Sequence, residues 1–168
     1  MSIITCYHYP STVLKGAVPL KINTKCSLAL HILLVIALFS ESHKMTSEVI
    51  ANSTGSNPVI IRNILGSLKR VGIVVIRRGN GGAVLALDPE EITIWKVYTA
   101  VDPTSLQNLI GLHPNPSSAC PVGRRIYDLL EEPYSAIRQA VRKSMSEYTL
   151  AELIIQYKAT EKDCHTQN

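Results

Sequence analysis

Between residues 57 and 87 the hydrophobic period of the sequence changes once, from that of a helix to that of a hairpin. Asn57 is a good helix N-cap, and Pro58 suits the first helical position. Ile61, Ile64, Leu65 and Leu68 then recur at i, i+3, i+4 and i+7, the spacing of a core-facing stripe. That stripe leaves Val59, Arg62, Asn63 and Arg70 toward solvent or a ligand. Gly72 stops the helix. Residues 73–77 are a β-branched run, Arg78-Gly79-Asn80-Gly81-Gly82 is a turn, and residues 83–87 are the returning strand. Upstream, residues 46–53 predict a short helix with Glu48 in its first turn, where the dipole favours an acid. Ile50 and Ala51 face inward, and Gly55 supplies the turn between the two helices. Helix, turn, helix, hairpin is the order of a winged helix. The expected fold is mainly α with a small β-hairpin wing, joined to a long dimerisation helix.

Charge gives that unit a direction. Residues 49–87 contain no Asp and no Glu, yet they hold Arg62, Lys69, Arg70, Arg77 and Arg78. The formal net charge of the chain is only +4, and from residue 120 onward seven acidic residues balance seven basic ones. The excess is thus local, which indicates a defined docking face for duplex DNA. Arg62 suits a guanine edge and Asn63 an adenine edge; the alternative for both is a solvated helix face. Asn57 and Val59 stand at the start of the same helix. Arg77, Arg78 and Asn80 lie on the wing, where they touch phosphate or the minor groove, or are merely polar hairpin residues. Lys69 and Arg70 are also favoured at a helix C-terminus without any DNA. The Gly-rich turn lacks GK[ST] and no helix follows it at once, so it is not a phosphate loop.

The remaining organisation is an irregular extension (1–20), the winged-helix domain (21–102), a loop (103–119), a dimerisation helix with a short C-terminal helix (120–157), and a frayed tail (158–168). A first helix over 26–40 is apolar almost all round and predicts a buried element. Its apolar run is about 12 residues, too short for a bilayer that needs roughly 20. It starts late for a signal peptide and has no A-x-A-like site. His31 within it reads as a core or interface histidine. Residues 94–101 form a short helix with Trp95 as a packing residue. Val122, Ile126, Leu130, Pro133, Ile137 and Val141 form one stripe on a long helix from residue 120, too much for one small domain to bury. Val122, Ile126, Leu130, Ile137 and Val141 are therefore the expected homodimer interface. Pro133 predicts a bend or a restart. Thr149 and Glu152 form a capping box that opens the last helix.

The four cysteines, Cys6, Cys26, Cys120 and Cys164, form no CxxC pair and no zinc spacing. The reading is a reduced, cytoplasmic chain with no metal site. Cys120 precedes Pro121 at the expected start of the long helix, where a thiolate is favoured, and Arg124 and Arg125 follow. It is the redox-sensing candidate; the alternative is a capping or packing residue. Cys26 is the candidate resolving partner. No paired carboxylates and no Ser/His/Asp set emerge, so the chain is not read as an enzyme, and no membrane partner is expected.

Thr46 to Ala51, Asn57-Pro58-Val59, Leu65 to Gly72, Arg77 to Gly82 and Pro89-Glu90-Glu91-Ile92-Thr93 together resemble the Rrf2 family of bacterial winged-helix regulators, which includes IscR and CymR. The resemblance runs over about residues 21–156. His113-Pro114-Asn115-Pro116 with Cys120-Pro121-Val122-Gly123 is most similar to its YwnA-like branch. The resemblance implies a DNA-binding homodimer, a repressor on a palindromic operator, with recognition helices in two major grooves and wings in adjacent minor grooves. It places Arg62 and Asn63 on base-facing positions and Arg77 on the wing arginine. Arg78 stands where the family's wing has its first glycine. Iron–sulfur members carry three closely spaced cysteines before the long helix, where this chain has only Cys120. A cluster is thus disfavoured and no cofactor is expected. The alternatives are an iron–sulfur-sensing regulator of the same family and a winged-helix module for protein or RNA.

Overall fold

The computed structural model describes residues 24–77, 82–102 and 110–165, with side chains as far as residue 161. The extension 1–20 and the wing-tip residues Arg78 and Asn80 lie outside the described residues, as do residues 103–109 of the loop. Helix α1 (Thr24–Phe39) is the hub. It buries Cys26, Ala29, Ile32, Leu33, Val35 and Ile36, and every neighbouring element in turn covers part of it. His31 is the exception. It is exposed, not part of the core, because it falls on the side of α1 that faces a groove beside the third helix. No helix among the described residues is long and apolar enough to cross a membrane.

Helices α2 (Ser47–Thr54) and α3 (Pro58–Arg70) form the helix–turn–helix. Thr46 caps α2 by accepting from the Val49 amide at 3.3 Å, and Gly55 closes the turn at φ +64°. The stripe on α3 is buried as expected: Ile61, Ile64, Leu65 and Leu68. After Arg70 the Gly72 amide donates to the Lys69 carbonyl at 3.0 Å and the Ile73 amide to the Leu68 carbonyl at 3.0 Å. Those two bonds are the Schellman pattern, and Ile73 and Leu68, its hydrophobic pair, are fully buried.

Strands β1 (Val74–Arg77) and β2 (Gly82–Leu85) pair antiparallel, with Arg77 opposite Gly82. Gly82 does more than end a turn. Its φ is +66°, and a Cβ there would meet the Met45 backbone nitrogen at 2.7 Å. The Ala83 amide donates to the Met45 carbonyl at 2.9 Å. The wing is therefore clamped onto the segment that enters α2. A 3-10 turn (Pro89–Glu91) then leads to α4 (Ile94–Val101). Trp95 stacks on Tyr98 at 5.7 Å, a packing role as expected.

The long helix α5 spans Ile126–Glu147 and not residue 120 onward. Residues 121–125 form an irregular turn in which the Arg124 amide donates to the Cys120 carbonyl and the Arg125 amide to the Val122 carbonyl. Gly123 packs against the Ser117 backbone within that turn, where a Cβ would collide. The helix also passes through Pro133 without a restart, since Pro133 costs one hydrogen bond and the turns on either side hold. The last helix, α6 (Leu150–His165), is longer than expected. Thr149 and Glu152 cap it reciprocally, at 2.8 and 3.3 Å. Residues 158–165 are helical and not frayed: Tyr157 donates to Glu161 at 2.6 Å, one turn on, in a stretch of good helix formers. Bonds from the Ile94 amide to the Tyr148 carbonyl and from the Leu150 amide to the Ile92 carbonyl tie the α5–α6 junction to the start of α4.

Candidate nucleic-acid interface

Helix α3 is held from behind by its buried stripe, so its other face is fixed toward solvent. Val59 is 53% exposed and Ile60 47%. Arg62, Asn63, Gly66, Lys69 and Arg70 are exposed as well. Asn57 is adjacent, but its Oδ1 accepts from the Val59 amide at 2.8 Å, so its acceptor serves the helix start first. Asn57 therefore acts by placing Val59, Arg62 and Asn63.

Two grooves flank α3, and they separate residues that the sequence places side by side. One has a volume of about 370 Å³ and lies between α3, the start of α2 and the wing. Lys44, Arg62, Lys69 and Arg77 line it together with the backbone of Met45 to Ser47. The other, about 830 Å³, lies between α3 and the first two turns of α1. Asn63, Ile60 and Ser67 line it from α3, and Ser27 and His31 from α1. Arg62 and Arg77 thus share a groove, while Asn63 faces away from them.

Four basic side chains on the first groove make it an anion-attracting channel, and the N-terminus of α2 opens toward it. Lys44 is a residue the sequence reading missed. It precedes the acid-free segment, and Glu41 lies only three residues before it. Glu48 faces the same region: its carboxylate lies 3.9 Å from the Arg62 guanidinium and accepts from the Ser47 hydroxyl at 3.0 Å. Its own backbone amide, together with the hydroxyls of Ser47 and Thr46, holds the carboxyl below the usual range, so it stays ionised. An exposed pair of this kind adds little stability; its effect is to aim Arg62.

Gly66 sits mid-helix on the wall of the basic groove. Glycine in a helix interior costs about 1 kcal/mol relative to alanine. Close packing usually repays that cost, yet a Cβ at Gly66 would meet nothing within 4 Å.

The dimer-stripe residues divide as well. No residue of α5 is buried in the single chain. Ile126, Leu130 and Val141 are half-covered on a helix that rests on α4, with Arg142 5.6 Å above the Trp95 ring. Val122 lies in the turn before the helix, 62% exposed, and Ile137 is 45% exposed. Leu129 was missed, although it is 61% exposed. Counting in fours from Val122 and Ile126 selects Leu130, whereas Leu129 precedes Pro133 and Ile137 by four and eight residues on the open side.

Cys120 is exposed but is not the helix N-cap; Arg125 holds that position without a side-chain bond. The helix start expected at Cys120 lies at Arg125 instead. Cys26 is only 4% exposed, and burial pushes its thiol up to about 11. A neutral, enclosed thiol does not suit the resolving partner. Among the described residues no three His, Cys, Asp or Glu side chains converge as a metal site would require.

Residues 22–156 match the family described as Rrf2, iron-dependent transcriptional regulator. The chain is 35% identical over 133 residues to YwnA of Bacillus subtilis, which carries the name of an HTH-type transcriptional regulator. That match covers 79% of this chain and 96% of YwnA. The fold is also that of T. potens IscR, with a TM-score of 0.63 at 17% identity, covering 84% of this chain and 91% of IscR. CymR of B. subtilis superposes with a TM-score of 0.60 at 23% identity, covering 81% and 97% of the two chains.

Proposed function

Since the chain belongs to the Rrf2 family of DNA-binding transcriptional regulators, we propose that it acts in the bacterial cytoplasm as a homodimeric repressor on a palindromic operator. The observation that carries this reading is the exposed face of α3. It presents Arg62 and Asn63 beside a groove lined by Lys44, Lys69 and Arg77, with the wing clamped to one edge. Two such faces related by a twofold axis match two half-sites about one helical turn apart. Arg62 reads a base, and Arg77 anchors the wing. The exposed stripe on α5 is the proposed seam between the two copies.

The placement of the described cysteines supports a reading without an iron–sulfur cluster. Cys26 faces the core and Cys120 stands exposed, with no third thiol beside either among the described residues. We therefore read the chain as a cluster-free member whose exposed Cys120, followed by Arg124 and Arg125, makes it thiol-responsive.

The test of the central reading is a binding titration on a duplex selected from a random pool by the wild-type protein, beside a scrambled duplex. Arg62→Ala costs about 1–3 kcal/mol on the selected duplex and much less on the scrambled one. Equal loss on both would reduce Arg62 to a phosphate contact. No binding to any duplex would reject the DNA reading itself.

A further inference from the structure

We infer that the basic groove between α3, the start of α2 and the wing seats one sugar–phosphate strand, and that Gly66 is the point where this strand touches the backbone of α3. The inference rests on the DNA-binding reading and adds to it a location and a residue. Gly66 lies one turn beyond Arg62 and one turn before Arg70, on the groove wall it shares with Lys69. Nothing in the described chain explains the missing side chain. The helix is regular there, and a Cβ would have no neighbour within 4 Å. A residue that weakens its helix and packs against nothing inside the protein leaves room for something outside it.

The groove's chemistry says what that is. Lys44, Lys69 and Arg77 line the groove with Gly66, Thr46 and Ser47 line it at the start of α2, and Arg62, also on its wall, pairs with Glu48 at 3.9 Å. Three cations around a bare stretch of helix backbone suit a phosphodiester. The strand lies across Gly66 with Lys69 on one flank and Lys44 and Arg77 on the other. Its neighbour across the major groove falls on the opposite side of α3. An added methyl group at Gly66 pushes the strand away from all three cations at once.

The variant that tests this is Gly66→Ala, with two readouts expected to move in opposite directions. Thermal unfolding of the free protein shifts up by roughly 2–4 °C, because alanine favours the helix and meets no clash. Binding to a selected duplex and to a scrambled duplex weakens alike, by about tenfold, because a phosphate contact carries no sequence information. Lys44→Ala weakens both duplexes as well and lowers the slope of log affinity against log salt by about one. A fall in melting temperature would make Gly66 a structural glycine and overturn the inference. Unchanged affinity would overturn it too, and a loss confined to the selected duplex would replace the strand with a base edge. A wild-type chain that binds neither duplex would instead remove the DNA reading on which the inference rests.

Discussion

At the scale of single residues, burial assigns different chemistry to two cysteines of the same chain. Cys26 lies in the first turn of α1, enclosed by the core, and burial raises its thiol from an ordinary 9.0 to about 11. A folded-state pKa above the unfolded one favours the neutral form. The stabilisation from a neutral Cys26 is fully present below pH 9 and fades as pH rises toward 11. Cys120 stands exposed on the turn leading into α5. In peptide mapping after brief alkylation at neutral pH, Cys120 is modified and Cys26 is not. If Cys120 is the sensor, hypochlorite lowers DNA affinity of the wild type and leaves Cys120→Ser unchanged. An equal response of both proteins would return Cys120 to a structural role.

At the scale of elements, the wing is defined less by its own hairpin than by what it is fastened to. Two strands of four residues are marginal alone. What fixes them is the approach of Gly82 to Met45 and the bond from the Ala83 amide to the Met45 carbonyl. Through that clamp, Arg77 and Lys44 come to line one groove. Gly82→Ala places a methyl group inside the Met45 backbone at a positive φ, at a cost of about 1–3 kcal/mol. Urea denaturation should register that loss, together with weaker binding of any duplex. A Gly82→Ala protein of wild-type stability would show that the wing is not clamped there. The repeat Gly81-Gly82 is visible in the sequence, but its meaning is not, because the partner segment lies almost forty residues earlier.

At the scale of the whole molecule, α5 is a 22-residue helix without a buried residue. Its inner side rests on α4 through Trp95 and Arg142, and the α5–α6 junction is tied by backbone bonds to residues 92 and 94. The outer side exposes Leu129 and Ile137, with Tyr127 41% exposed near the start. A second copy laid along that side would bury apolar surface at about 25 cal/mol per Å². Leu129→Glu combined with Ile137→Glu therefore yields monomers in analytical sedimentation, with far-UV circular dichroism unchanged. Dimers of undiminished affinity would place the seam elsewhere. Because the junction is anchored at the start of α4, α5 is tied through it to the unit that carries α3.

The sequence by itself determined the elements whose information is local. The N-cap Asn57 with Pro58, the stripe of α3, the turn at Gly55 and the Thr149–Glu152 box each need only residues a turn or two away, and all form as read, while the hairpin strands pair over 74–77 and 82–85 where 73–77 and 83–87 were expected. The acid-free segment also marked the residues that come to line the basic groove, since charge composition is a property of the chain. Only the tertiary structure decided what depends on distant segments. Lys44 joins Lys69 and Arg77 because the wing folds onto Met45, and Arg62 parts from Asn63 because α3 divides two grooves. Likewise α5 starts at Ile126, and Cys120 lies before it, in the turn where Gly123 packs against Ser117. Periodicity reports which side of a helix is apolar. What covers that side, and which side chains meet across a gap, is set by contacts between segments that the order of residues does not place together.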